Sequence, residues 1–298
     1  LLLYEFYSKH HSTKFYSHHR VRTIKRGLEI FLLVCCLILA NVSTALCKSP
    51  APTVYLNSNN HTDQVKTNLN KYEGIWNNCE FDNPAKKWSN MAKKLGGKYA
   101  VIDLVVAQAQ EKKLAYVPFP IRQDGYIYSY SKIDQAEPYL KKFDKDGVKV
   151  ILSLQPNGAN VSDLIDIILK RYGNHKSVIG INVDLEWKLT GTPYHVSNKE
   201  RDIWLKKIQS YNPGFKLFLT YYKDHSYFPD DKKDIVILYD GQSSTQKELM
   251  EEYKELASHY KSVGIYTGYN SSTPPTASHD SIMTAAPNTK YILHVIDD

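Results

Sequence analysis

The sequence predicts an α/β protein, a single (β/α)8 TIM barrel behind an N-terminal signal segment. Three observations lead there. Eight short apolar, β-branched runs alternate with stretches of helical period. Most of those runs are apolar throughout, as parallel strands covered by helices on the outside should be. The roughly 250 residues that follow the leader are the usual length of one such barrel, and 42% apolar residues suffice for a sizeable core.

Strands are expected over 74–79, 99–106, 148–154, 178–186, 216–222, 234–239, 262–266 and 290–296. Amphipathic helices are expected over 85–95, 133–143, 161–171, 198–210 and 245–261, several introduced by Ser, Thr, Asn or Asp where a cap belongs. The crossover 223–233 is too short for a full helix, and the one around 278–286 is weakly patterned. No internal repeat, heptad run or second-domain linker interrupts the order. The expected organisation is a signal peptide or N-terminal anchor over 1–45, a loose lead-in over 46–72 and a glycosidase-like barrel over 73–298.

The leader carries much of the net charge of +7. Its six basic residues, Lys9, Lys14, Arg20, Arg22, Lys25 and Arg26, face only Glu5 and Glu29. Beyond it Lys and acids are nearly balanced and interspersed, which removes the case for nucleic-acid binding. A basic stretch, the apolar run 30–40 and then Ser43-Thr44-Ala45 have the order of a secretory signal cut after Ala45, so the protein is expected to be secreted or extracellular. The run is short of the about 20 apolar residues a membrane span needs. Membrane association is therefore expected only through a retained leader, which would make the protein a cell-surface one. Cys47 follows Leu46, which is large where a lipid-anchor site wants a small residue.

Of four cysteines, Cys35 and Cys36 lie in the apolar run. Cys47 and Cys79 could pair outside the cell or remain two thiols. No CxxC or HExxH occurs, and the pairs His10-His11 and His18-His19 lie in the leader. No metal site and no cofactor is indicated. A monomer is expected.

In a barrel of this kind chemistry sits at the C-terminal ends of the strands. The fourth expected strand ends Asn182-Val183-Asp184-Leu185-Glu186-Trp187. Alternation puts Ile181, Val183 and Leu185 toward the helices and Asn182, Asp184 and Glu186 toward the barrel interior, the two acids about 6.6 Å apart along the strand. Two inward carboxyls are costly as mere structure, because a buried unpaired charge costs several kcal/mol or takes up a proton. A salt-bridged pair or a solvated strand end is the structural alternative. In the functional reading, a charged Asp184 pushes Glu186 toward its protonated form, ready to act as a general acid.

These residues resemble the signature of glycoside hydrolase family 18, the chitinases, chitinase-like lectins and endo-β-N-acetylglucosaminidases. Its DGxDxDxE, usually followed by an aromatic residue, stands here as Ile179-Gly180-Ile181-Asn182-Val183-Asp184-Leu185-Glu186 with Trp187. The sixth strand ends Ile237-Leu238-Tyr239-Asp240, similar to the family's MxYD. The third, Val150-Ile151-Leu152-Ser153-Leu154, is similar to the strand ending in SxGG, with Gln155-Pro156 in place of the glycines. The resemblance implies Glu186 as general acid/base, Asp184 orienting a 2-acetamido group and Tyr239 hydrogen-bonding it. Departures are plain: Ile179 and Asn182 replace aspartates, and 291–296 lacks the tryptophan that floors the central subsite in most relatives. The change at Asn182 removes a carboxylate that would share the proton of Asp184.

The resemblance also accounts for a missing nucleophile. Two-carboxylate retaining enzymes need their acids about 5 to 5.5 Å apart, usually from different strands, and the seventh strand, Val263-Gly264-Ile265-Tyr266-Thr267, offers none. The substrate's own N-acetyl oxygen then has to attack, which requires a glycan containing N-acetylglucosamine. Asn182, Trp187, Asp240, Ser153, Gln155 and Tyr222 are the expected substrate-binding residues, with Trp76, Tyr221 and Tyr266 as further aromatic candidates whose ordinary role is packing. Asn157 and Gln242 add loop amides. Asn60-His61-Thr62, Asn160-Val161-Ser162 and Asn270-Ser271-Ser272 fit the N-glycosylation pattern. Three classes remain open: a secreted hydrolase of β-1,4-linked N-acetylglucosamine glycans, a lectin on the same barrel, or a non-sugar protein in which the DxE pair is coincidental.

Overall fold

A computed structural model describes residues 71–77, 81–110, 114–121, 128–187, 195–222, 225–230, 235–241, 245–268 and 278–296. The leader, Cys47, Cys79, Gln242 and the glycosylation patterns at Asn60 and Asn270 lie outside the described residues. In chain order the strands and helices are β1 Tyr72–Asn77, α1 Ala85–Gly96, β2 Ala100–Gln110, β3 Leu114–Val117, β4 Tyr128–Tyr130, α2 Glu137–Asp146, β5 Lys149–Leu154, α3 Val161–Tyr172 and β6 Val178–Asp184. They continue with α4 Asn198–Tyr211, β7 Lys216–Tyr221, β8 Ile235–Asp240, α5 Gln246–His259, β9 Val263–Thr267, α6 His279–Ala285 and β10 Thr289–Val295.

Eight strands pair in parallel in the order β1-β10-β9-β8-β7-β6-β5-β2, and β2 pairs back onto β1, which closes the ring. This is the expected (β/α)8 barrel. Alternation sorts its side chains into two layers. Val101, Ile151, Phe218, Val236, Leu238, Tyr266, Tyr291 and Leu293 fill the interior. Ile102, Leu104, Val150, Leu152, Ile181, Val183, Leu217 and Leu219 belong to the larger layer that packs on the helices. Inside the barrel, Tyr291 stacks on Tyr72 at 5.3 Å and meets the edge of Phe218 at 5.1 Å. Closure depends on Gly74, because a Cβ there would stand 1.6 Å from the carbonyl oxygen of Val101 on the neighbouring strand.

The helices start where polar side chains satisfy their first amides. Ser197 and Glu200 form a reciprocal capping box on α4, and Thr245 and Ser278 cap α5 and α6. Asn160 accepts from the amides of Ser162 at 2.8 Å and Asp163 at 3.2 Å, so this residue of a glycosylation pattern is also the N-cap of α3. Asn160→Ala in unglycosylated protein is expected to cost about 1 kcal/mol in urea unfolding, and Asn160→Asp to cost nearly nothing. Equal losses for both would show that the cap contributes nothing.

Two features depart from the sequence expectation. Helix α2 begins at Glu137 rather than 133, since Pro138 is best accommodated in a first turn and Asp134 accepts from the amide of Glu137 at 3.0 Å. Strand β2 runs beyond the ring to Gln110 and pairs antiparallel with β3, which in turn pairs with β4. The polar residues of that stretch conceal the pattern of an apolar strand. The crossover after β7 holds, among the described residues, only a three-residue 3-10 helix, His225–Tyr227.

Candidate active site

Strand β6 pairs with β5 on one side and β7 on the other, so its inward residues face the centre of the ring. Pairing continues one step beyond its end, where the Leu185 amide donates to the Thr220 carbonyl at 2.9 Å. Leu185 is buried in the outer layer, and the chain then turns at Glu186 and Trp187. The Glu186 amide donates back to Asp184 Oδ1 at 3.1 Å, which fixes the first carboxylate beneath the second. Both side chains are part-buried at the C-terminal end of the barrel.

Burial, and after it the neighbouring carboxylates of Glu186 and Asp240, push Asp184 well above the usual carboxylate range. Asp103 adds to the same effect from below. The sequence reading has Asp184 holding the charge, whereas its burial and its acidic neighbours favour its protonated form. Burial acts in this direction because it withdraws the water that would stabilise the Asp184 anion.

Beneath the pair lies a buried polar network. Thr220 Oγ1 donates to Asn182 Oδ1 at 2.9 Å, and Asn182 Nδ2 donates to Ser153 Oγ at 2.8 Å and, more weakly, to Asp103 Oδ2 at 3.5 Å. The hydroxyls of Ser153 and Tyr266 also donate to Asp103. Burial raises Asp103 to about 6, against the lowering effect of donors from Ser153, Tyr266 and Asn182. Burial and the charge of Asp103 raise the Tyr266 phenol well above its ordinary value, which keeps it a donor. The carboxylate absent at Asn182 is thus present on the opposite side of the same network, on β2. Asn182 serves as the neutral link.

These positions correct several expected roles. Ser153 and Asn182 are 2% exposed and bonded to one another, which places them in the buried floor beneath the carboxyl pair rather than on an open binding surface. Tyr239 faces the helix layer: its hydroxyl donates to Glu252 on α5 and its ring lies 6.2 Å from that of Tyr253. It is not placed to bind an acetamide in the barrel. The Gln155 side-chain oxygen accepts from the Ala109 amide at 3.2 Å, and its backbone amide donates to the Ala107 carbonyl, so this residue ties the loop after β5 to β2. Asn157 likewise donates to the Gln110 carbonyl, while its amide donates to the Trp187 carbonyl at 2.5 Å. Asp240 ends β8 on the inner side and acts on Asp184. Trp187 is part-buried beside Glu186, and Tyr222 is part-buried with its ring 4.9 Å from Tyr221. Asp103 was missed in the sequence, although a lone carboxylate in step with Val101 on an apolar strand is a legible sign of an interior acid.

No family model and no curated protein matches the chain. Among solved structures, the chain is similar to a β-glucuronidase from an uncultured Clostridium species, with 10% identity and TM-score 0.45 over 76% of this chain and 43% of that one. It is similar to UMP synthase of Leishmania donovani, with 6% identity and TM-score 0.43 over 76% and 48%. A protein from Streptomyces coelicolor assigned as chitinase A shows 14% identity and TM-score 0.39 over 75% and 80%. The chain spans less than half the length of the first two. The likeness is one of architecture, shared by proteins whose names cover unlike chemistries.

Proposed function

We propose that this chain is a glycoside hydrolase acting on β-1,4-linked glycans that contain N-acetylglucosamine, by a substrate-assisted retaining mechanism with Glu186 as general acid/base. The observation that carries the reading is the neighbouring carboxyl pair Asp184 and Glu186 at the C-terminal end of β6, in which burial and the charge of Glu186 raise Asp184. In this reading the resting pair holds one proton, favoured by the burial and the acidic neighbours that raise Asp184. Glu186, at the turn, delivers it to the bridging oxygen as the C1–O bond breaks. The acetamide oxygen bonds to C1 from the face opposite the leaving group, forming a cyclic oxazolinium ion, and the later attack of water from the original face gives net retention. The pair, now doubly negative, lies beside the new positive charge, which is where electrostatic stabilisation counts most. Glu186 then takes a proton from water as that water opens the ring, and the pair returns to one proton. Trp187 and Tyr222 are proposed to bind sugar faces, and Asp240 sugar hydroxyls or the acetamide N–H. Export, and action as a monomer on extracellular glycan, belong to the same proposal.

A second reading, a carbohydrate-binding protein without turnover, is favoured by one observation: Tyr239 is turned to Glu252 and away from the barrel. Chromogenic aryl N,N′-diacetylchitobioside and its 2-hydroxy counterpart, aryl cellobioside, separate the readings. The hydrolase is expected to release chromophore from the first alone, with a thiazoline that mimics the cyclised intermediate inhibiting it. Oligosaccharide binding with no release from any acetamido substrate would establish the lectin instead. Equal release from both aryl glycosides would remove the substrate-assisted step.

A further inference from the structure

Away from the carboxylate pair, the molecule brings together a second set of chemically capable side chains. Glu255 and His259 are four residues apart on α5 and so share one face of the helix. His225 comes from the 3-10 turn after β7, and its ring stacks on that of His259 with centroids 3.9 Å apart and planes at 16°. The nitrogen and oxygen atoms that these three residues offer all lie within 4.8 Å of one another.

We propose that His225, Glu255 and His259 bind a divalent transition-metal ion, with Zn²⁺ the best match, as a clip between the β7–β8 crossover and helix α5. Two imidazoles and one carboxylate are borderline ligands suited to Zn²⁺, Co²⁺, Ni²⁺ or Cu²⁺, and poorly suited to Ca²⁺ or Mg²⁺, which prefer oxygen alone. Zinc ligands at about 2.0 to 2.2 Å from the ion stand about 3.4 Å from each other, so a small swing of the rings and the Glu255 side chain completes the set. His225 and His259 are part-buried and Glu255 is exposed, which leaves room for water in the remaining position.

The location gives the clip a purpose. In this crossover the described residues supply no α-helix, only the turn His225–Tyr227. It is held by the Val196 amide, which donates to the Tyr227 carbonyl at 3.0 Å, by the His195 ring against the Ser226 carbonyl, and by aromatic contacts: Phe228 meets the edge of Tyr260 at 5.9 Å, Tyr227 lies 4.8 Å from Tyr221, and the Tyr260 hydroxyl reaches the His225 carbonyl at 3.5 Å. A bound ion would join the turn to the last turn of α5, directly beside these contacts. Motif spacing does not reveal such a site, because the third ligand comes from a separate element.

The test uses the full chain, stripped with a chelator, and titrates ZnCl₂ calorimetrically and CoCl₂ by its visible absorption. Because the leader's histidine pairs add sites of their own, the reading is the difference between wild type and variants. His225→Ala/His259→Ala is expected to lose one equivalent of bound Zn²⁺, together with the rise in Tm that the ion gives wild type. Glu255→Gln, at an exposed helix position that disturbs folding least, is expected to weaken that equivalent at least as much as loss of a supporting residue does, about 10- to 100-fold. Excess Mg²⁺ or Ca²⁺ should not compete. Wild type and Glu255→Gln binding Zn²⁺ with the same stoichiometry and affinity would overturn the proposal, as would unchanged cobalt absorption in either variant.

Discussion

Glu186→Gln is expected to lower kcat on the aryl diacetylchitobioside by about 10²- to 10⁴-fold, the range spanned by loss of a general acid/base, while oligosaccharide binding persists. The same change is expected to leave the fold intact or make it slightly more stable at neutral pH. Glu186 lies two residues beyond the end of the strand, its side chain is part-buried, and its hydrogen bond to Asp184 is made by the backbone amide, which Gln retains. What the substitution removes is a negative charge that, after burial, is the largest cause of the raised Asp184. A carboxyl raised in the folded state contributes stability that is present at low pH and lost as pH rises through the folded pKa. Lowering that pKa therefore returns stability on the alkaline side. Rate measurements alongside thermal melts at pH 5 and pH 8 check both halves. A variant with wild-type kcat removes Glu186 from the chemistry, and one that loses activity only with a large fall in Tm at both pH values makes it a structural residue. A functional acid held at a cost to the fold should show activity and stability moving in opposite directions.

The parts of the site that were legible in the sequence are those governed by strand geometry alone. Alternation along 178–186 places Ile181, Val183 and Leu185 in the outer layer and Asn182 among the inner polar groups, as the structure has them. The same alternation was available for Tyr239. On β8, Leu238 belongs to the interior, and its neighbour Tyr239 has to face the helices. The likeness of Ile237-Leu238-Tyr239-Asp240 to a motif overrode a period that pointed the other way. Asp103 was hidden for a different reason: its role depends on donors from β5, β6 and β9, which no local pattern brings together. The raising of Asp184 was only partly legible, because besides Glu186 it depends on burial and on Asp240 and Asp103, carboxylates brought in by other strands. The eight strands survived these errors because the barrel requires only their order and apolar character. The side extension pairs β3 with β2 and β4 with β3, and it buries Ala115 and Val117 of β3 in the outer apolar layer.

Asn182→Asp is expected to destabilise the protein by about 3 to 5 kcal/mol at pH 8, as an uncompensated buried charge does, and by much less at pH 5. The new carboxylate would stand where an amide now donates to Ser153 at 2.8 Å and to Asp103 at 3.5 Å. Two acids that close in the barrel cannot both ionise, and the donors of Ser153 and Tyr266 are already directed at Asp103. The wild type already shows the sign of this effect. Asp103, raised from 3.8 to about 6, is a source of stability lost between those two pH values, about 3 kcal/mol at 1.36 kcal/mol per unit. A second carboxylate moves the loss to higher pH and enlarges it; protonation at pH 5 restores a donor in the amide's place. Combining the change with Asp103→Asn exchanges the two groups across the network and returns it to one carboxylate and one amide. The double variant is therefore expected to be more stable at pH 8 than the sum of the single changes predicts, by about 2 kcal/mol, within the range for residues in one network. It also brings the charge to the same face of β6 as Asp184, so the alkaline limb of the activity profile should move to higher pH. Urea unfolding of the four proteins at pH 5 and pH 8 decides the matter. If the single changes add without coupling, or if Asn182→Asp matches wild type at pH 8, Asp103 and Asn182 do not divide between them the role of one buried acid.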